Sequence, residues 1–273
     1  MKKLEPFLVH AALLLAVAFA LYPLLWVLST ALSHGGLGES RAIPWPKDPS
    51  LDNFRAVVST GVFARQVANS VLASAATAIA SVALATPAAY ALARVPFVGK
   101  KTSLRVLLAT QMFPAVASAV PLYLVLDALH LLDTRTGLVL VYASTAIPFA
   151  IFQLRGAFEA IPVDLEEAAM VDGATRFQAF VRVVLPAARP AIAVTALFAF
   201  MSAWNEFILA ATLLSRESAF TLPVVLQRYV GEHDAAWGPF CAGSILVSIP
   251  VMAFFYLAQR QLVSGLTSGG VKG

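Results

Sequence analysis

Charge is what this chain has least of. Asp, Glu, Lys and Arg make up 12% of its 273 residues, against roughly 25% in an average soluble domain. A water-soluble globule of this size needs a polar shell that these residues cannot supply, so a soluble enzyme and a disordered chain are both excluded. Cysteine is nearly absent as well. Cys241 stands alone, which removes an intrachain disulfide framework and a thiolate metal site. No GxxxxGK[ST] run occurs, so the chain has no phosphate-binding loop of that kind, and no HExxH run supports zinc hydrolysis. The net charge of +4 is spread over short breaks between apolar runs. It forms no groove-sized basic patch, so nucleic acid is not an expected partner.

What fills the chain instead is hydrocarbon. Hydrophobic residues reach 59% and the mean hydropathy is +0.80. Charge-free runs cover Pro6–Gly38, Gln66–Ala93, Val106–Leu126, Thr136–Leu154 and Ala235–Gln259, and a sixth, Pro190–Ser215, is interrupted only by Glu206. About 20 helical residues cross the ~30 Å hydrocarbon core of a bilayer. The runs are continuously apolar without two-residue alternation, which favours helices over barrel strands. The expected fold is all-α and polytopic, with six transmembrane helices near 7–32, 67–93, 104–126, 136–154, 190–213 and 237–258. The whole of 1–273 is expected to form one transmembrane domain.

Two features set the orientation. Met1-Lys2-Lys3, an apolar run and Ala18-Phe19-Ala20 have the outline of a cleavable signal peptide. The run continues through Tyr22, Trp26 and Leu32, however, which predicts a retained first helix. Lys and Arg divide twelve to seven between the two sides of the six spans. The richer side should be cytoplasmic, with both termini inside. The Ser33–Gln66 segment is then external, and Leu51–Val58 within it predicts a short surface helix. Pro87, Pro114, Pro121, Pro148 and Pro250 fall within spans, where prolines kink helices and shape their packing.

One polar connection, 156–189, is patterned as structure. Asp164, Glu166 and Glu167 follow Pro162, and acidic groups in a first turn suit the positive end of a helix dipole. Gly173 follows at a position suited to a left-handed helix stop. Thr175 stands three residues before Gln178, the spacing of a capping box that opens a second helix. Phe177, Phe180, Val181 and Val184 are expected on one face of that helix, with Pro186 ending it. The first helix shows small alanines beside carboxylates.

Glu167-Ala168-Ala169, Gly173 after three residues and Leu185-Pro186 twelve later resemble the EAA signature of permease subunits of binding-protein-dependent (type I) ABC importers. Ile161-Pro162 and the run from Leu165 to Ala174 resemble its carbohydrate-importer form. Val183 departs from the pattern, which has Ile there. Asn69-Ser70, Trp204-Asn205-Glu206-Phe207 and the tail from Gly265 to Gly273 are similar to maltose G-type permease subunits, so the likeness spreads over most of the chain.

That resemblance implies a prokaryotic inner-membrane permease subunit for a di- or oligosaccharide. A second permease subunit, two cytoplasmic ABC ATPases and an external solute-binding protein would complete the importer. Glu167, Ala168, Ala169, Asp172 and Gly173 would couple to the ATPase, which would hold the ATP and Mg. This chain would hold no cofactor or metal and catalyse nothing. Trp204, Asn205 and Glu206 are candidates for the sugar path, because intramembrane acids are costly and polar groups beside an aromatic face suit sugar rings. A purely structural role for Glu206, hydrogen-bonded to fix the bundle, is the competing expectation. The rival functions are a permease for another solute, such as a polyol, glycerol phosphate or amino acid, and a polytopic membrane enzyme. The enzyme would need a nucleophile–base pair or metal ligands inside the spans, where only Glu206 is available.

Overall fold

The computed structural model describes residues 4–34, 44–46, 48–231 and 235–269. Expectations resting on Lys2, Lys3, Arg41, Lys47, Lys272 and the tail from Gly270 to Gly273 lie outside the described residues. Among the described residues the chain is all-α, with helices joined by short turns and no β-strand. Four helices are long and apolar enough to cross a membrane: Leu8–Leu32 within α1 (Leu4–Leu32), α3 (Phe63–Arg94), α6 (Arg135–Ala160) and Trp237–Tyr256 within α13 (Trp237–Gly269). Two bent pairs bring the total to as many as six.

One bend falls inside the expected third span, and the other at Ala188, just ahead of the expected fifth. The 104–126 span is two helices, α4 (Lys100–Gln111) and α5 (Ala115–Ala128), with a 100° angle between the pair. Pro114 causes the break. It takes an extended conformation (φ −63°, ψ 130°) ahead of α5 and has no N–H to continue the ladder of α4. The other four prolines lie inside their helices, as expected. The 190–213 span is likewise interrupted. α10 (Arg189–Trp204) stops at Asn205, and α11 (Ile208–Leu213) begins after a short break.

The chain divides into two compact units. The first comprises 1–65 and 224–249. In it the expected surface helix is α2 (Asp52–Val58), stitched to the end of α1 by the Asn53 side-chain amide, which donates to the carbonyls of Ala31 (3.0 Å) and Ser33 (2.9 Å). Ala31, Val57, Cys241 and Ala242 form its buried core.

The second unit comprises 66–223 and 250–273. Its helix α3 buries Ala73, Ser74, Thr77, Ala78, Ser81, Ala85 and Ala89 along one side. Small residues at helical spacing let backbones approach closely where the bilayer supplies no hydrophobic drive between helices. α10 and α4 lie against α6, and α5 lies against α11. A core of Ala85, Ala89, Leu92, Ile151, Leu154, Phe158, Phe180 and Val184 gathers the ends of α3 and α6 with the polar connection that follows α6.

Candidate functional site

The 156–189 connection folds as a short helix, a turn and a second helical stretch. α7 (Asp164–Val171) carries its three carboxylates in the first turn. Gly173 takes φ +91°, the left-handed region where a Cβ costs about 1–2 kcal/mol. Thr175 and Gln178 form both halves of a capping box and open α8 (Arg176–Ala179). A π-helical turn, Phe180–Val184, and the short α9 (Leu185–Ala187) continue it. Pro186 therefore does not end the helix: it stands in the first turn of α9, where a missing N–H costs little. The chain corners only after Ala187, turning 73° into α10.

The expected apolar stripe of the second helix also splits. Phe180 and Val184 are buried, whereas Phe177 is 73% exposed and Val181 is exposed. The wider π turn alters the register after Ala179, so the four side chains do not share one face. Among the coupling candidates, Glu167, Ala168, Asp172 and Gly173 are exposed and Ala169 is half-buried. Leu165 and Val171 are exposed beside them, Val171 at 87%. The loop thus offers an outer surface in which apolar side chains and carboxylates alternate.

Glu166 is the exception, and sequence reasoning missed it. Only 5% exposed, it turns inward between two exposed neighbours. Its Oε1 accepts from Arg94 Nε at 2.5 Å and its Oε2 accepts from the Tyr90 hydroxyl at 2.7 Å. Arg94 also donates from Nη2 to the Ile161 carbonyl at 2.6 Å. The Tyr90 ring packs on Phe180 (4.3 Å between centroids) and edge-on to Phe158 (6.1 Å). Helices α3, α6, α7 and the π turn therefore meet at one point. The available signal was Arg94, a cation ending a long apolar helix with a carboxylate needed nearby.

The candidate path residues lie at the interruption of the fifth span. Trp204 is buried and stacks on Phe200 (5.6 Å, 18° between planes), while Asn205 is exposed. Glu206 accepts from the backbone N–H groups of Leu209 and Ala210, both at 3.0 Å, and so caps the start of α11. A carboxylate suits the positive end of a helix, which gives an intramembrane charge a local partner. One turn earlier, Ser202 joins Gln111, Thr145, Thr195, Phe149 and Phe198 around a cavity of about 240 Å³ between α6 and α10. Phe149 and Phe198 meet edge-to-face there at 5.8 Å.

A second knot, at the opposite end of α3, was legible only in part. Asn69 donates to the carbonyls of Ser218 (2.9 Å) and Phe220 (3.1 Å) and accepts from Arg135 Nε (2.8 Å). The neighbouring Ser70 hydroxyl accepts from Leu222 N at 2.8 Å, and Gln66 donates to the Glu217 carbonyl. Asn69-Ser70 drew notice through resemblance alone, and nothing local announced Arg135 or the 217–222 strip as its partners.

Residues 81–268 match the family model described as binding-protein-dependent transport system inner membrane component. The chain is 37% identical over 262 residues to the trehalose transport system permease protein SugB of Mycobacterium tuberculosis, covering 95% of each. It is 38% identical over 291 aligned positions to the maltose/maltodextrin transport system permease protein MalG of Salmonella typhimurium, covering 100% of this chain and 97% of that one. Its fold is similar to a chain in the crystal structure of a bacterial ABC transporter involved in the import of the acidic polysaccharide alginate. That match has a TM-score of 0.79 and 26% identity, and covers 95% of this chain and 98% of the other.

Proposed function

Because this chain belongs to the family of binding-protein-dependent transport system inner membrane components, we propose that it forms half of a di- or oligosaccharide translocation path and couples to a cytoplasmic ATPase through its 156–189 loop. It is the multi-pass permease subunit of a carbohydrate ABC importer. The observation that carries the coupling role is the division of α7 into two sides. Glu166 fastens one side to the bundle, while Ala168, Val171 and the Glu167 carboxylate face outward. An apolar surface of this kind outside the bilayer calls for a protein cover. Small Ala168 and Ala169 allow a helix to seat deeply in a cleft, and Glu167 and Asp172 can pair with basic groups there.

The remaining parts follow from the same assignment. ATP and Mg bind the two partner ATPases, since this chain has no phosphate-binding loop. A second, different permease supplies the other half of the path, and an external binding protein delivers the sugar. Within this half, the cavity between α6 and α10 offers hydroxyl and amide groups beside aromatic edges, a combination suited to sugar hydroxyls and ring faces. Trp204, Asn205 and Glu206 continue that path at the end of α10 and in the break that follows. Both termini face the cytoplasm, in a prokaryotic inner membrane.

The test is pull-down of the ATPase, with ATP hydrolysis and sugar uptake measured in proteoliposomes of the assembled importer. Ala168→Leu should obstruct docking and lower ATPase recovery at least tenfold. Gly173→Asp should insert normally yet uncouple hydrolysis from uptake, since a left-handed turn sets the direction of α7. If both variants dock and transport as wild type, the loop is not the coupling element. Uptake of a polyol, glycerol phosphate or amino acid in place of sugar would keep the family and replace the substrate.

A further inference from the structure

A buried carboxylate on a surface helix needs a reason. Glu166 is flanked by exposed Leu165 and Glu167, and a turn of α7 could carry any polar residue outward at no cost. Its charge is instead taken from water and met by Arg94, whose side chain is itself only 10% exposed. Ion pairs of this kind add little to stability compared with apolar substitutes, and their best-attested use is fixing one arrangement over others. Here the arrangement fixed is that of α7 against α3. The Arg94 guanidinium spans both α7 and the Ile161 carbonyl at the end of α6, and the Tyr90 phenol closes the carboxylate's second oxygen.

The other end of α3 is tied just as firmly. Gln66, Asn69 and Ser70 grip the 217–222 strip, and Arg135 joins it from α6. Between Asn69 and Arg94 run about 37 Å of continuous helix at ~1.5 Å per residue. Along that length the helix buries small side chains against its neighbours. A helix fastened at both ends moves as one body, whereas a helix fastened at neither would slip.

We propose that Tyr90, Arg94 and Glu166 are positioning residues for transport: they latch the coupling helix to α3, which acts as a strut carrying its displacement to the 217–222 strip at the far membrane face. This rests on the reading that α7 docks on the ATPase, and it assigns the step after docking. Without the latch the ATPase still binds α7, but α7 swings on its turn at Gly173 and the displacement is not delivered.

The assembled importer in proteoliposomes tests this through three readouts: ATPase recovery, ATP hydrolysed, and sugar taken up per ATP. Glu166→Gln and Arg94→Gln should each retain the ATPase and lower uptake per ATP at least tenfold. The double variant should be no worse than either single, because both remove one shared interaction. Tyr90→Phe keeps the ring packing and removes one hydrogen bond, so it should lower the ratio several-fold in a protein that folds. In a Cys241→Ser background, spin labels at Asp164 and Ile79, both exposed, should keep their separation when ATP binds in wild type and lose it in Glu166→Gln. Wild-type uptake per ATP in Tyr90→Phe and Glu166→Gln would overturn the latch, as would a wild-type label separation changing by more than about 3 Å, half a helical turn. Loss of ATPase recovery in Glu166→Gln would overturn it too, making Glu166 a docking group. Failure of the docking reading is separate: the wild-type chain would then not retain the ATPase at all.

Discussion

At the scale of single residues, Gly137 and Gly156 in α6 separate packing from propensity. A Cβ at Gly137 would press on the backbone carbonyl oxygen of Leu131, an atom already accepting the Thr134 hydroxyl at 2.6 Å. Thr134 in turn accepts from Gly137 N at 3.0 Å, so the turn cannot open without losing its cap. Gly137→Ala should destabilise by about 1–3 kcal/mol, the usual cost of an overpacked site. At Gly156 nothing lies within 4 Å of the added carbon. Gly156→Ala should therefore stabilise, by up to about 1 kcal/mol from helix propensity. Thermal unfolding of the detergent-solubilised complex should move down for the first and up for the second. A matching sign for both would refute the steric account. Of the glycines, only Gly173 was legible in the sequence, because its constraint is local to the helix it ends. Gly137 is held by a turn beginning six residues earlier, and no periodicity carries that.

At the scale of elements, the sequence yielded helices well and their interruptions poorly. Long apolar runs with small residues, as in α3, read directly as spans because the bilayer permits little else. The break at Met112–Pro114 and the one at Asn205–Phe207 depend on a proline's missing N–H and on a carboxylate capping Leu209 and Ala210. Pro114 and Glu206 are visible in the sequence, but whether each bends its span or ends a helix there is not. The π turn at Phe180–Val184 is similar: it reassigns faces without changing composition. The tie at the Asn69 end of α3 belongs to this scale as well. Asn69→Ala would remove two donors to the 217–222 strip and the acceptor for Arg135, and Asn69 is 2% exposed. Buried groups left unpaired cost about 1–3 kcal/mol each. The strip should loosen while the spans stay inserted, so limited proteolysis near Arg216 should accelerate several-fold. Unchanged cleavage would mean that the strip is held by its other contacts.

At the scale of the molecule, the two knots on α3 settle a question that helix lengths leave open. Four straight helices qualify as spans, and the bent pairs can be read as crossings or as re-entrant loops. The contacts decide between these. Asn69 at the start of α3 meets Arg135 at the start of α6, and Arg94 at the end of α3 meets Ile161 at the end of α6. The two helices therefore run in the same direction. The chain between them must cross the membrane once to return, and α4 with α5 is the only helical material available to do so. By the same reasoning, Ile161 and Asp133 lie at opposite ends of α6, and Asp133 accepts from Ser215 N at 2.6 Å and Arg216 N at 2.9 Å. The stretch from 162 to 214 must then cross once as well, through α10 and α11. α4 with α5 is one crossing and α10 with α11 another, and with α1 and α13 the count among the described residues is six. In the proposed orientation, with the side richer in Lys and Arg inside, the Arg94 end is cytoplasmic. Reporter fusions after Lys100 and Arg176 should read internal, and fusions after His130 and Arg216 external. The fusion after His130 is the decisive one. An internal reading there would make α4 and α5 a re-entrant loop, and α3 and α6 could no longer share one direction through the bilayer.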